Sequence, residues 1–405
     1  MVNILGSDIC TRNRRTVFMI PADNLQNMGS ESAFAVLARA TELATQGHDI
    51  INLGIGQPDF RTPEHIVEAG IRALRDGHHG YTPAPGMMAL REAVSADVLR
   101  HRGVSVSAEQ VMVVPGGKMT MFFAILMFGQ PGAEILYPNP GFPIYESMIR
   151  YGGATAVPIE LHESTGFSFR ADEVLARLND RSRLLIINSP GNPTGGVIDD
   201  AELDRLVAGL EAFPEVAVLS DEIYSRLLFD KRRHKSLLDY ESIRDRVIVL
   251  DGWSKTYAMT GWRAGYGIWP DALVPYIEKM IVNANSCTNA ATQMACIAAL
   301  EGPQDSVETM RAAFAQRREV IVDLLDALPG FRCIRPGGAF YAFPNIEGTG
   351  RTSRDLGHDL LETCGVATIH GTSFGAMGEG FVRFSYAASM DNIRKAAQRI
   401  SDYLG

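Results

Sequence analysis

Residues 246–263 read RVIVLDGWSKTYAMTGWR. The run VIVL at 247–250 lacks the polar–apolar alternation of a half-exposed strand, so it reads as a strand buried on both faces. Directly after it come an acid, a glycine, a serine and Lys255. Six more runs share this character: QVMVVPG (110–116), AEILYP (133–138), ATAVPI (154–159), RLLIINSP (183–190), VAVLSDEIY (216–224) and AGYGIW (264–269). Amphipathic helical patterns such as DDAELDRLVAGLEAF (199–213) lie between them. This rhythm predicts an α/β fold, a mostly parallel sheet with helices on both faces. Ligands of such sheets gather at the carboxyl ends of the strands, where this sequence places Asn192, Asp221 and Lys255.

Outward from that block the pattern changes. Residues 301–405 read as a helix, the short strands GFRCIRP (330–336) and GAFYAF (338–343), a helix, the strand FVRFSYA (381–387) and a last helix, DNIRKAAQRISDYL (391–404). The expected organisation is a large domain over 51–300, a smaller α+β domain over 301–405, and an arm over 1–50 whose helix SESAFAVLARATELATQG (30–47) packs with the small domain. A chain of 405 residues is long enough for two such units.

Composition narrows the function. The chain is 46% hydrophobic and 21% charged, as in an ordinary globular enzyme, and its net charge of -9 argues against a nucleic-acid surface. The basic run KRRHK (231–235) reads as a solvated loop. Cys10, Cys287, Cys296, Cys333 and Cys364 form no CxxC pair and no metal spacing with histidine, so no metal site is expected and a reducing cytoplasm is the expected home. The apolar stretch MTMFFAILMF (119–128) is too short to span a bilayer, and no membrane role is expected.

A lysine after a buried strand is ordinarily a surface residue. Here Gly252 and Ser254 flank it and Arg263 comes eight positions later, and lysine amines in such sites form Schiff bases with carbonyl groups. GWSKTYAMTGWR (252–263) resembles the cofactor-attachment site of the class I pyridoxal-phosphate-dependent aminotransferases, the aspartate-aminotransferase-like branch of fold type I. One position departs: Trp253 stands where the family pattern has a smaller residue. The resemblance runs from GIGQPDF (54–60) to FVRFSYA (381–387).

The resemblance implies a role for each site residue, and each role has a physical reason. Pyridoxal phosphate works as an electron sink, deepest when its ring nitrogen is protonated, so a buried carboxylate is needed beside it; Asp221 of SDEIY fits. Tyr224 and Asn192 of SPGNPTGG match residues that hydrogen-bond the ring hydroxyl, Asn192 also meeting the substrate carboxylate, and Glu222 is expected to point away into structure. Gly116 and Gly117 open the helical pattern KMTMFFAILMF, so their amides can meet the phosphate at a helix N-terminus, completed by Ser254 and Arg263. Tyr81 of GYTPAPG matches a tyrosine that reaches a neighbouring subunit's phosphate, which implies a homodimer with shared sites. Phe142 of NPGFPIY would stack on the ring. Arg383 lies on an apolar strand, where a buried guanidinium without an anion is costly, and it is expected to meet the substrate α-carboxylate with Gly56 nearby.

Lys255 would hold the cofactor and, once released by substrate, move the α-proton, giving ping-pong transfer from an L-amino acid to a 2-oxo acid. Lys118 is either a helix N-terminal surface residue or the reader of a distal carboxylate. The second reading favours aspartate or glutamate as donor, with 2-oxoglutarate as acceptor. Alanine, aromatic, basic or prephenate-type substrates stay open, as does C–S β-elimination. A transcription regulator is set aside: the segment before GIGQPDF is short for a DNA-binding module.

Overall fold

The computed structural model describes residues 21–29 and 31–405. A seven-stranded sheet runs in the order Val111–Val114, Gly265–Ile268, Val247–Gly252, Ala217–Asp221, Ser182–Asn188, Glu134–Asn139, Thr155–Glu160. Gly265–Ile268 runs against the other six strands, which all point the same way. Successive residues of the central strands are buried on opposite faces, which is why both carry apolar side chains. Val218, Leu185 and Val249 join one core with the helices Met88–Arg102, Asp200–Leu210 and Ala290–Glu301. Leu219, Ile186 and Ile248 join another with Lys118–Phe128, Ile144–Tyr151 and Val274–Ala284. Each fully buried Leu, Ile or Val contributes about 1.5–3 kcal/mol relative to exposure.

Register then assembles one edge. Asn188 pairs with Asp221, and Asp221 with Leu250. Val114 and Gly252 both pair with Gly265, so the antiparallel strand draws the turn after Val111–Val114 alongside the turn that carries Lys255.

The C-terminal elements build a separate core. Helices Asp305–Asp326, Ser353–Glu362 and Met390–Leu404 contribute Phe314, Ile321, Leu356, Leu360, Ile393 and Ile400, packed on the three-stranded antiparallel sheet of Tyr341–Ala342, Ile369–His370 and Val382–Ser385. The strand Ile51–Asn52 pairs in parallel with Val366–Ala367, and Ile51 and Leu53 lie in this same core. Helix Ser32–Thr45 also rests here, with Ala40 and Leu43 against Leu361 and Ala367.

One expected strand does not form. Within 330–336 only Arg332 bridges Asn345, the two exchanging backbone hydrogen bonds at 2.9 and 2.8 Å, and no bond continues the ladder two residues on at Ile334, while the Cys333 amide, facing the other way, donates to the Asp326 carboxylate at 2.8 Å. The basic run is only partly solvated: Lys231, Arg232 and Arg233 are exposed, while His234 reaches buried Glu222 at 2.9 Å. Cys10 lies outside the described residues. Cys287, Cys296, Cys333 and Cys364 are free thiols. Among the described residues no helix is long and apolar enough to cross a membrane, and no cluster of His, Cys, Asp and Glu could hold a metal.

Candidate active site

The strand ends border a cavity of about 460 Å³. Gly56, Gly117, Lys118, Phe142, Asn192, Asp221, Tyr224, Ser254, Lys255, Arg263 and Arg383 all line it. Gly116 sits just behind: with φ +91° it needs glycine, and a Cβ there would lie 2.2 Å from Arg263 Nη2. Tyr81 stands apart from the cavity and is 92% exposed.

Lys255 follows the strand Val247–Gly252 in a short helical turn, Trp253–Thr256. Its Nζ donates to the Gly56 carbonyl. Burial, then the nearby charges of Arg383 and Arg263, bring the amine down to about 8, so neutral amine is available near physiological pH. Trp253 does not line the cavity: its indole is buried edge-to-face against Tyr266, ring centres 5.3 Å apart.

Asp221 ends its strand 5% exposed, and the Tyr145 hydroxyl donates to its Oδ2 at 2.7 Å. Burial pushes this carboxyl up to about 6, with the Tyr145 bond opposing. No cation pairs with it among the described residues, so a buried acid faces the cavity with room for a cationic N–H donor. Its neighbour Glu222 points away, as the alternation of a strand requires. Burial pushes Glu222 up, but Arg102 at 3.0 Å and His234 outweigh that and leave it at about 2.

Across the cavity Arg383 is 3% exposed on the strand Val382–Ser385. Its guanidinium donates to Asn192 Oδ1 at 2.8 Å and to the Gly54 carbonyl, lies 4.6 Å from the Tyr341 ring centre, and leaves Nε without a partner. A desolvated cation held by two neutral oxygens is an anion receptor, and the bidentate geometry suits a carboxylate. The Gly56 backbone runs close to Tyr341: any side chain at 56 would start 2.3 Å from the tyrosine oxygen.

The turn Gly116–Gly117 opens the helix Lys118–Phe128 beside the cavity, and of the two amides expected to meet an anion the first is engaged, the Gly116 N–H donating to the Val114 carbonyl at 2.7 Å, which leaves the Gly117 amide. Gly265 packs so tightly on this turn that a Cβ would sit 2.1 Å from the Gly117 nitrogen. Ser254 and Arg263 complete the rim.

Four contributors were not singled out from sequence. Tyr145 lies three residues after Phe142 in the quoted NPGFPIY, and Asn188, within RLLIINSP, accepts from the Asn192 amide at 2.9 Å. Tyr341, inside GAFYAF, shares a 2.7 Å hydrogen bond with the Tyr224 hydroxyl. Glu31 accepts a hydrogen bond from Lys118 Nζ, a pairing of residues 87 apart. The first three had local signals, a polar group at a strand end or within a site motif; Glu31 lies in the quoted helical stretch 30–47, where nothing marks it as meeting the cavity.

Comparison with known proteins meets this geometry. The profile of the family described as aminotransferase class I and II matches residues 48–400. The aspartate aminotransferase of Geobacillus stearothermophilus is 34% identical, the match covering 95% of this chain and 98% of the relative. The chain belongs to the class I and II aminotransferases. The asparagine–oxo-acid transaminase of Streptococcus mutans is 35% identical over 93% of this aminotransferase and 97% of its own length. The structure of aspartate aminotransferase from Thermus thermophilus with maleate superposes with a TM-score of 0.90 at 33% identity, covering 95% of this chain and 99% of that one. Fold type I, with its mostly parallel sheet between helices, is thus the architecture of this aminotransferase, as the motifs predicted.

Proposed function

We propose that this aminotransferase holds pyridoxal 5'-phosphate and moves an amino group from an L-amino acid, aspartate or glutamate favoured, to a 2-oxo acid such as 2-oxoglutarate. The observation that carries the reading is buried Arg383, without a carboxylate partner, on the same cavity as a lysine amine lowered to about 8. The residues fit the cofactor on independent grounds. Asp221 is a buried acid that no cation pairs with among the described residues, suited to a protonated ring nitrogen, and Gly116, at φ +91°, brings its backbone close against the Arg263 guanidinium. The Gly117 amide, Ser254 and Arg263 would hold the phosphate, with Gly116 shaping the turn behind them, Asn192 and Tyr224 the ring hydroxyl, and Phe142 the ring face.

When bound, the cofactor supplies the reactive carbonyl carbon and the electron sink. Arg383 and Asn192 orient the substrate α-carboxylate so that its Cα faces Lys255. Neutral Lys255 Nζ takes the α-proton and delivers it again within the site, as a general base and acid whose proton affinity is tuned by burial and two arginines. Asp221 supplies a compensating negative charge, its carboxylate held in place by the Tyr145 hydroxyl on a strand end packed into the surrounding core. The same residues serve both half-reactions, so kinetics are ping-pong. Support for dicarboxylates comes from Lys118 at the cavity wall and from relatives named aspartate aminotransferases. We also propose a cytoplasmic homodimer whose sites are completed by Tyr81 of the second copy, with a large domain over 51–300, a small one over 301–405 and an N-terminal arm packed on the latter.

The test adds single amino acids to protein reconstituted with pyridoxal phosphate and follows the visible spectrum. L-aspartate and L-glutamate bleach the cofactor band, 2-oxoglutarate restores it, and Lys255→Ala shows neither change. Pyruvate and ammonia from cystathionine without any acceptor would make it a lyase. Bleaching by uncharged or basic amino acids but not by dicarboxylates keeps the transaminase and removes the dicarboxylate preference.

A further inference from the structure

Lys118 opens the helix Lys118–Phe128, where an ammonium meets the positive end of the helix dipole and calls for an anion. It hangs 5.2 Å from the centre of the Phe142 ring, at the wall of the cavity. The anion it finds is Glu31. Glu31 comes from another layer of the molecule: it immediately precedes helix Ser32–Thr45, which is fastened to the C-terminal elements by the Arg39–Glu362 pair at 2.8 Å and by a 2.6 Å bond from Ser32 to Ser373. The Glu31 side chain is 14% exposed and that of Lys118 41%, so the pair is sheltered yet within reach of a ligand. Of the two acids that line the cavity among the described residues, Asp221 is engaged with Tyr145 and Glu31 faces the cations. Its charge is felt at both Lys255 and Arg383.

We infer that Glu31 is a specificity-determining residue that keeps Lys118 occupied. The closed pair presents a neutral wall to amino acids with uncharged side chains, and a dicarboxylate enters by drawing Lys118 off Glu31. The inference rests on the reading that Arg383 holds the α-carboxylate. Both halves of a ping-pong cycle pass through one site, and a flexible lysine with a resident counter-ion lets that site hold an acidic partner in one half and an uncharged amino acid in the other. No backbone movement is needed, because the lysine head rides on a flexible four-carbon stem.

The test measures equilibrium binding to the cofactor-loaded protein, by calorimetry, of two unreactive probes: maleate, a dicarboxylate, and 3-phenylpropanoate, a monocarboxylate. In Glu31→Gln the ratio of maleate to 3-phenylpropanoate affinity rises about fivefold to tenfold, the size of a half-sheltered ion pair that no longer competes. In Glu31→Asp, which keeps the charge, the ratio stays close to that of the parent. In the double variant Glu31→Gln, Lys118→Met the gain disappears. An unchanged ratio in Glu31→Gln, or a gain that survives the loss of Lys118, overturns the role of Glu31 and leaves the transaminase reading standing. If the parent binds neither probe, anchoring at Arg383 fails, and both readings fall together.

Discussion

At the scale of single residues, the chemistry turns on how two buried groups are shifted in opposite senses. Burial, Arg383 and Arg263 lower the Lys255 amine to about 8, whereas burial raises the Asp221 carboxyl to about 6. Only the neutral amine attacks a carbonyl, and its fraction grows as pH rises through the folded value. Reconstitution of the cofactor-free protein with pyridoxal phosphate should therefore accelerate with pH, with a midpoint near 8. Arg383→Gln removes one of the cations that lower the amine, so its midpoint should move to higher pH. Stopped-flow absorption over a pH series gives both values, and a midpoint in the variant equal to or below the parent's would remove Arg383 from this account.

Among the elements, the two strands that deliver Asp221 and Lys255 are tied together beneath the cavity. Arg102, the last residue of helix Met88–Arg102, is only 6% exposed at its side chain and reaches Glu222 at 3.0 Å and Asp251 at 2.5 Å. Glu222 directly succeeds Ala217–Asp221, and Asp251 lies within Val247–Gly252, so one guanidinium bridges both strand ends. Removing it leaves two buried carboxylates facing each other. Arg102→Met should cost about 3–5 kcal/mol of stability, read from urea unfolding. A loss under about 1 kcal/mol would mean that solvent or rearrangement replaces the bridge.

For the whole molecule, the proposed sharing of sites between two chains rests on Tyr81. Tyr81 is 92% exposed and stands off the cavity, while the family resemblance assigns it to a neighbour's phosphate. If the sites are shared, Tyr81→Ala and Lys255→Ala chains, each impaired alone, should complement when unfolded and refolded together. Random pairing makes about half of the dimers mixed, each with one native site, so activity should recover to about a quarter of the parent's. Recovery absent from mixtures that gel filtration shows to be mixed dimers would make Tyr81 an ordinary surface residue.

The sequence alone determined the layered α/β architecture and most of the cavity wall. Strands buried on both faces carry unbroken apolar runs, and the fold sends their carboxyl ends to one edge, so Asn192, Asp221 and Lys255 could be located from the order of runs and motifs. Glycines at 56 and 116 were legible within motifs, though the reason for them, contact with Tyr341 and Arg263, was not. Only the tertiary structure decided the pairings that tune those residues: Tyr145 with Asp221, 76 positions apart; Tyr224 with Tyr341, 117 apart; Lys118 with Glu31, 87 apart; and Arg102 with Asp251, 149 apart. It also decided that 330–336 is no regular strand, since the pairing of Arg332 with Asn345 is not continued by the residues two positions away that an antiparallel ladder would use. Periodicity reports which face of an element is buried, and it carries no record of which distant side chain will meet it there.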